Sequence, residues 1–281
     1  MMKKILLTAI AVGLLVVSIS VAGRMTATSG DEKKGVPTVA TENIRTPVIV
    51  ELFTSEGCSS CPPADAVLSR LDRTQPIAGA EVIPLALHVD YWNYLGWSDP
   101  FSSHDFSARQ SEYADAYGKD GVYTPQMIVD GVTEFPGGNG SRAADAIAKA
   151  ASAPKAETQV TRAARQPAEG VRLTISLKNI PKLTDGDAAY VLLVVTESNL
   201  STDVARGENA GRKLAHVGVV RTLTTVGNLA DARGGAFDTE AVVLLKKNWR
   251  RENLRAVVFG QERGSRRILA AASASLAEPK R

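Results

Sequence analysis

The spacing of apolar and polar positions changes several times along the chain, and each change marks an element. Ile5 to Ala22 is an almost unbroken apolar run. Pro47-Val48-Ile49-Val50-Glu51-Leu52-Phe53 is β-branched and apolar, the pattern of a buried strand, and it stops at the turn-forming Thr54-Ser55-Glu56-Gly57. Ala66, Val67, Leu68 and Leu71 then fit a helix face over 62–71. Pro62 and Pro63 suit its first turn, where their missing amide hydrogens have no partner anyway. Glu81 to Val89 reads as a second buried strand, followed by an aromatic loop over 91–101 and a polar helix over 102–117. Gln126 to Val129 is a third strand, and Asp130-Gly131 is a hairpin signal into Val132-Thr133-Glu134-Phe135. After the break Pro136 to Gly140, Ser141 to Ala151 is an alanine-rich helix.

Around Ala153-Pro154 the helical period disappears. The segments 171–177, 188–196, 213–224, 240–246, 254–260 and 266–273 read as strands separated by Gly, Asp and Asn turns. The expected organisation is an α/β domain over 47–152 followed by a mainly β, sandwich-like domain over 153–281.

The N-terminus has a different logic. Met1-Met2-Lys3-Lys4 is a short basic start, and Ser20 and Ala22 supply the small residues of a cleavage site before Gly23. Basic start, apolar middle and small-residue exit form a secretory signal over 1–22, with a flexible Thr-, Ser- and Gly-rich leader over 23–46. An uncleaved anchor is the alternative, and it would be the chain's only membrane contact. Either reading makes the rest of the chain periplasmic or secreted.

Hydrophobic residues make up 44% and charged residues 22% of the 281, which gives a core large enough to fold without staples. The net charge of +3 is spread thinly, which argues against a nucleic-acid partner.

The chain has only two cysteines, in Cys58-Ser59-Ser60-Cys61, between a buried strand and a helix. There, free amide hydrogens and the helix dipole favour the reactive thiolate. A structural disulfide closing so short a loop would restrain the unfolded chain by only about 2 kcal/mol. A structural zinc needs four ligands, yet there is no second cysteine pair and the three histidines are scattered. Buried free thiols are disfavoured in an oxidising compartment. Redox or soft-metal chemistry therefore leads. A second signal is Tyr123-Thr124-Pro125, directly before the third strand, where a proline removes a ladder donor. Spacing and element order favour a cis bond there over an ordinary trans-proline starting a strand. The arrangement resembles thioredoxin-like folds, which implies that Thr124 and Pro125 lie opposite the cysteines and seat an extended substrate.

With these residues in hand, the chain resembles the thioredoxin superfamily over about 46–152. More closely it is similar to the secreted family called domain of unknown function 1223. The resemblance is carried by Val50 to Asp65, by His88-Val89-Asp90-Tyr91-Trp92 through Trp97-Ser98-Asp99-Pro100-Phe101, and by Tyr123-Thr124-Pro125-Gln126. In the second half Arg206-Gly207-Glu208-Asn209-Ala210-Gly211-Arg212 and Val219-Val220-Arg221 are similar as well. It implies a thioredoxin-like first domain more firmly than any activity. Thioredoxins carry an aromatic before the first cysteine and a buried acid six residues upstream. Here those places hold Gly57 and Leu52, with Glu51 on the opposite strand face.

Tyr91, Trp92, Tyr94, Trp97 and Phe101 form a ring cluster that either grips an apolar partner, chiefly through Trp92 and Trp97, or covers the core. His88 ends a strand as a packing residue, and Arg206 to Arg212 is either an anion site or a tight β-connection.

Three functions follow. One is a thiol–disulfide oxidoreductase that needs no added cofactor: Cys58, nearer the solvent, attacks, Cys61 resolves, both sulfurs lie beside Pro125 in a solvent-reachable groove, and the partners are protein or small-molecule thiols and disulfides. Another is a Cu(I) carrier with Cys58 and Cys61 as ligands and His88 or Met127 as a third. The last is a two-domain binding protein whose cysteine pair is vestigial.

Overall fold

The computed structural model describes residues 45–278 apart from 168, so the expected signal and almost all of the leader lie outside the described residues. The first strand is β1 (Thr46–Thr54), followed by α1 (Pro62–Thr74) and β2 (Ala80–His88). Next come α2 (His104–Ala116), β3 (Gln126–Val129), β4 (Thr133–Pro136) and α3 (Gly140–Ala151). Each of these falls where the hydrophobic period puts it. Ser103 caps α2 by accepting from the Asp105 amide, and Asn139 caps α3 by accepting from the Arg142 amide.

The second half adds β5 (Glu157–Arg162), β6 (Val171–Lys178), β7 (Ala189–Glu197) and β8 (Leu200–Asp203). It continues with β9 (Lys213–His216), β10 (Val219–Asn228), β11 (Phe237–Val243), β12 (Leu254–Glu262) and β13 (Ile268–Ser275). β5 and β8 escape the sequence reading: β5 is polar at all but one of its six positions, Val160, and β8 is four residues long. The strand expected over 213–224 is two strands, because the chain turns at Gly218 with φ +59°.

The expected fold class, a thioredoxin-like α/β domain followed by a separate β domain, is overturned. Strands of both halves share one mixed eight-stranded sheet in the order β13-β12-β7-β10-β2-β1-β3-β4. The seam is parallel pairing of β10 with β2 at Val219 and Ala86, helped by the Ala86 amide donating to the Gly218 carbonyl at 2.8 Å. A Cβ at Gly218 would lie 2.6 Å from the Pro84 oxygen, so glycine permits this approach. The molecule is thus mostly β, and the described residues form one compact unit.

Alternation along the strands gives the sheet two buried faces. Val48, Val50 and Leu52 of β1 pack with α1 and α3. Further along the sheet, Val191, Leu193 and Val195 of β7 pack with a three-stranded sheet ordered β11-β6-β5. On the opposite face, Ile49 and Phe53 of β1 join Leu192 and Val194 of β7 and Phe259 of β12 beneath Phe106 and Tyr113 of α2. Glu51 points to this face too, fully buried. It takes Arg109 Nε at 2.7 Å and Nη2 at 3.2 Å, and accepts from the Tyr113 hydroxyl. Arg109 also donates to Gln261 Oε1 of β12 at 2.9 Å, so one ion pair ties β1, α2 and β12 together.

Candidate functional site

Cys58 and Cys61 form a disulfide in the turn between β1 and α1, with Cα atoms 5.4 Å apart. Cys61 caps the helix from outside, accepting from the amides of Ala64 and Asp65 at 2.9 and 3.1 Å. Its fold position follows from the local sequence: β1 ends at Thr54, and Pro62 and Pro63 open α1.

The Thr124–Pro125 peptide is cis. Thr124 Oγ1 donates to Cys58 Sγ at 3.4 Å, so the structure brings these two sequence-chosen residues together. Ser60 Oγ is 3.3 Å from the same sulfur. The Pro125 carbonyl accepts from the Gly137 amide at 2.9 Å, and Gln110 of α2 anchors the segment by donating to the Tyr123 carbonyl and to Gln126 Oε1, both at 2.8 Å. Thr124 is half-buried, and among the described residues its backbone N–H and C=O make no hydrogen bond.

The expectation of a solvent-reachable sulfur is not met in this oxidised form. Cys58 is 1% exposed and Cys61 0%, and neither stands nearer the solvent in any useful sense. A cover lies over the turn. Asn209, between β8 and β9, is fully buried and donates Nδ2 to the carbonyls of Glu56 (2.8 Å) and Cys58 (3.0 Å). Next to it, Glu208 accepts from the Ser59 amide at 3.1 Å. The Arg206 to Arg212 segment, open at the sequence level between an anion site and a tight connection, therefore docks on the cysteine turn.

The two tryptophans also face inward. Trp92 donates its indole N–H to Thr124 Oγ1 at 2.7 Å, and Trp97 donates its own to Glu56 Oε2 at 2.8 Å. Tyr91 and Phe101 are half-buried, whereas Tyr94 is 79% exposed. A Cβ at Gly57 would meet Trp92 Cβ at 3.1 Å, so the indole segment lies where a side chain before the first cysteine would project.

Behind the turn lies a buried polar cluster that the sequence reading left unassembled. Glu56 Oε1 is 3.0 Å from His216 Nε2 of β9, and the Glu56 amide donates to Asp99 Oδ2 at 2.9 Å. Asp99 Oδ2 is also 2.7 Å from Nδ1 of His88. Burial alone would lower the His88 imidazole, but the Asp99 carboxylate, helped by Asp65 and Glu56, holds it above its ordinary value. Asp99 is held below the usual carboxylate range: burial acts the other way, but His88 and the amides of Glu56 and Phe101 outweigh it. Asp65, accepting from Thr54 Oγ1 at 2.9 Å, is pushed upward by burial against the pull of His216 and His88. No spacing in the sequence links Glu56 to His216, 160 residues apart, so only the fold reveals this cluster.

Of the two proposed third copper ligands, Met127 is a core residue, fully buried beside Leu52 and Phe135, while His88 uses Nδ1 on Asp99 and among the described residues its buried Nε2 has no hydrogen-bond partner. Among the described residues no group of three or more His, Cys, Asp and Glu side chains is arranged to hold a metal ion.

The profile of a family described as protein of unknown function (DUF1223) matches residues 49–261. A crystal structure of a protein from Agrobacterium tumefaciens is similar, with a TM-score of 0.62 and 25% identity over 83% of this chain and 96% of that one. HBP35 of Porphyromonas gingivalis has a TM-score of 0.61 over 84% of this chain and 77% of its own, and at 18% identity the likeness shows the fold alone. No curated protein matches.

Proposed function

Because the chain belongs to the DUF1223 family of proteins of unknown function, we propose from the site itself that it is an exported thiol–disulfide oxidoreductase. The observation that carries this reading is the Cys58–Cys61 disulfide with the Thr124 hydroxyl on Cys58 Sγ and an unpartnered Thr124 backbone beside it. The N-terminal signal pattern supports export to the periplasm or beyond, where disulfides persist.

In the reduced protein, the Cys58 thiolate attacks one sulfur of a substrate disulfide and expels the first substrate thiolate, leaving a mixed disulfide. Cys61, having lost its proton to water, then attacks Cys58 Sγ. This closes the Cys58–Cys61 bond and releases the second substrate thiolate. The substrate gains two electrons, the cysteine pair loses two, and the released thiolates take up the two protons. The reverse sequence oxidises a dithiol. Thr124 and Pro125 seat the substrate chain, and the cover over the turn parts to admit it.

A redox titration of the mature protein against glutathione tests this reading. A reversible midpoint between about −120 mV, as for strong oxidants, and about −270 mV, as for reductants, supports it. It should vanish in Cys58→Ser. Absence of exchange, with stoichiometric Cu(I) binding by the reduced pair, replaces it with the carrier reading.

A further inference from the structure

Thr124 has one hydroxyl and faces two neighbours. Trp92 Nε1 can only donate, so at 2.7 Å it occupies an acceptor site of Thr124 Oγ1. The Thr124 proton must then point elsewhere, and Cys58 Sγ lies 3.4 Å away. Ser60 Oγ approaches the same sulfur from within the cysteine turn, at 3.3 Å. To a disulfide sulfur such contacts are weak. Once the disulfide opens, Sγ becomes the atom that bears the negative charge, and hydrogen bonds to an ionised acceptor are about twice as strong as neutral ones. The indole is fixed from a second direction, because its segment packs against Gly57, where an added Cβ would lie 3.1 Å from Trp92 Cβ and 3.3 Å from Trp92 O.

We propose that Trp92 is a positioning residue that turns the Thr124 hydroxyl onto Cys58, so that Thr124 and Ser60 together stabilise the attacking thiolate. This rests on the oxidoreductase reading but changes the part played by Trp92, from gripping a partner to orienting a hydroxyl inside the protein. One competitor for the Thr124 proton is present. Tyr91, kept neutral by burial with its hydroxyl pushed up to about 12, gives its own proton to Gln110 Oε1 and leaves an oxygen facing Thr124. The charged groups around the turn are Glu56 within it, beside His216 of β9, together with Glu208 on the Ser59 amide, His88 with Asp99, and Asp65 on α1. The variants below leave all of them in place.

The test needs no redox partner. The reduced mature chain is alkylated with iodoacetamide across a pH series, and modification of Cys58 and Cys61 is resolved by mass spectrometry. Trp92→Phe and Thr124→Val should each move the half-ionisation of Cys58 up by about one pH unit, a roughly tenfold loss of thiolate below it. Trp92→Phe with Thr124→Val should move it no further than either alone, since both remove the same contact. Thr124→Ser should restore the wild-type profile, and Tyr91→Phe should leave it unchanged or lower it. Additive shifts, or a Thr124→Val shift that Trp92→Phe does not reproduce, overturn the proposal. If Trp92→Phe fails to fold, Thr124→Val against Thr124→Ser decides: equal profiles in those two overturn it. Wild-type ionisation intact in a protein that exchanges with nothing would sink the oxidoreductase reading while leaving this hydrogen-bond relay standing.

Discussion

Asn209 and Cys58 are 151 residues apart in sequence, yet the Asn209 side-chain amide donates to the Cys58 carbonyl at 3.0 Å. The same nitrogen serves the Glu56 carbonyl, so a single buried side chain satisfies two backbone acceptors of the cysteine turn. A segment from the other half of the chain thus holds the backbone of the cysteine turn, while Ser60 and Thr124 lie against the Cys58 sulfur.

Opening that cover is what exchange requires, and Asn209→Ala should ease it. The substitution leaves the buried Glu56 carbonyl unpaired and takes from the Cys58 carbonyl one of its two donors, the Cys61 amide remaining, which costs about 1–3 kcal/mol. If the loss falls on local opening, reduction of the disulfide by dithiothreitol accelerates about tenfold for each 1.4 kcal/mol. Glu208→Gln, altering an exposed contact to the Ser59 amide, should accelerate it less. Stopped-flow reduction followed by tryptophan fluorescence measures both. Rates identical to wild type would mean that the sulfurs are reached by another route.

The Glu51–Arg109 pair makes the opposite prediction. Arg109→Met leaves a fully buried carboxylate with only the Tyr113 hydroxyl, and removing one partner of such a pair costs about 3–5 kcal/mol. Glu51 lies on the α2 face of β1, away from α1, so thiol exchange per folded molecule should stay at the wild-type rate. Urea unfolding measured alongside the reduction rate separates the effects. A large change in exchange with little loss of stability would place this pair in the chemistry.

The His88–Asp99 contact should give stability a pH window. The His88 imidazole is raised in the fold, so its contribution is complete below the ordinary value of 6.5 and is lost as pH rises through the raised one. Asp99 is lowered, so its contribution is complete above 3.8 and is lost as pH falls through the lowered value. The stability difference between wild type and Asp99→Asn should therefore be largest between about pH 4 and 6.5 and shrink on both sides. Urea midpoints across pH 3 to 9 test this, with His88 ring resonances reporting the titration. A difference that keeps growing above pH 8 would contradict the assignment.

How much of this could be read beforehand depends on whether a feature is local. The strand ahead of Cys58, the helix started by Pro62 and the Thr124–Pro125 pair all declare themselves through period and residue type within about ten residues. The pairing of Val219 with Ala86 does not, because periodicity assigns a strand to a face but not to a neighbour. That gap produced the two-domain expectation. It also hid the meeting of Asn209, His216 and Glu56, none of which carries a local signal. The aromatic loop was legible as a cluster, but the direction of its rings depends on the acceptors Thr124 Oγ1 and Glu56 Oε2 supplied by other segments.

Gly131 shows the same limit at one residue, and it can be tested sharply. Asp130-Gly131 was legible as a hairpin, and Gly131 indeed has φ +70°. Turn geometry alone would cost an alanine there about 1–2 kcal/mol. However, the turn also receives the far end of the sheet: the Asp130 carbonyl accepts from the Ile268 amide at 3.1 Å, and a Cβ on Gly131 would lie 1.9 Å from the Arg266 oxygen. Backbone must move to admit it, so Gly131→Ala should lose at least about 2 kcal/mol beyond the dihedral cost. Gly186 is the control, because it has φ +79° with nothing within 4 Å of an added Cβ. Gly186→Ala should show the dihedral cost alone. Equal urea midpoints for the two variants would mean that β13 does not press on this turn in solution, and that the sheet's two ends meet less closely than the Asp130–Ile268 bond implies.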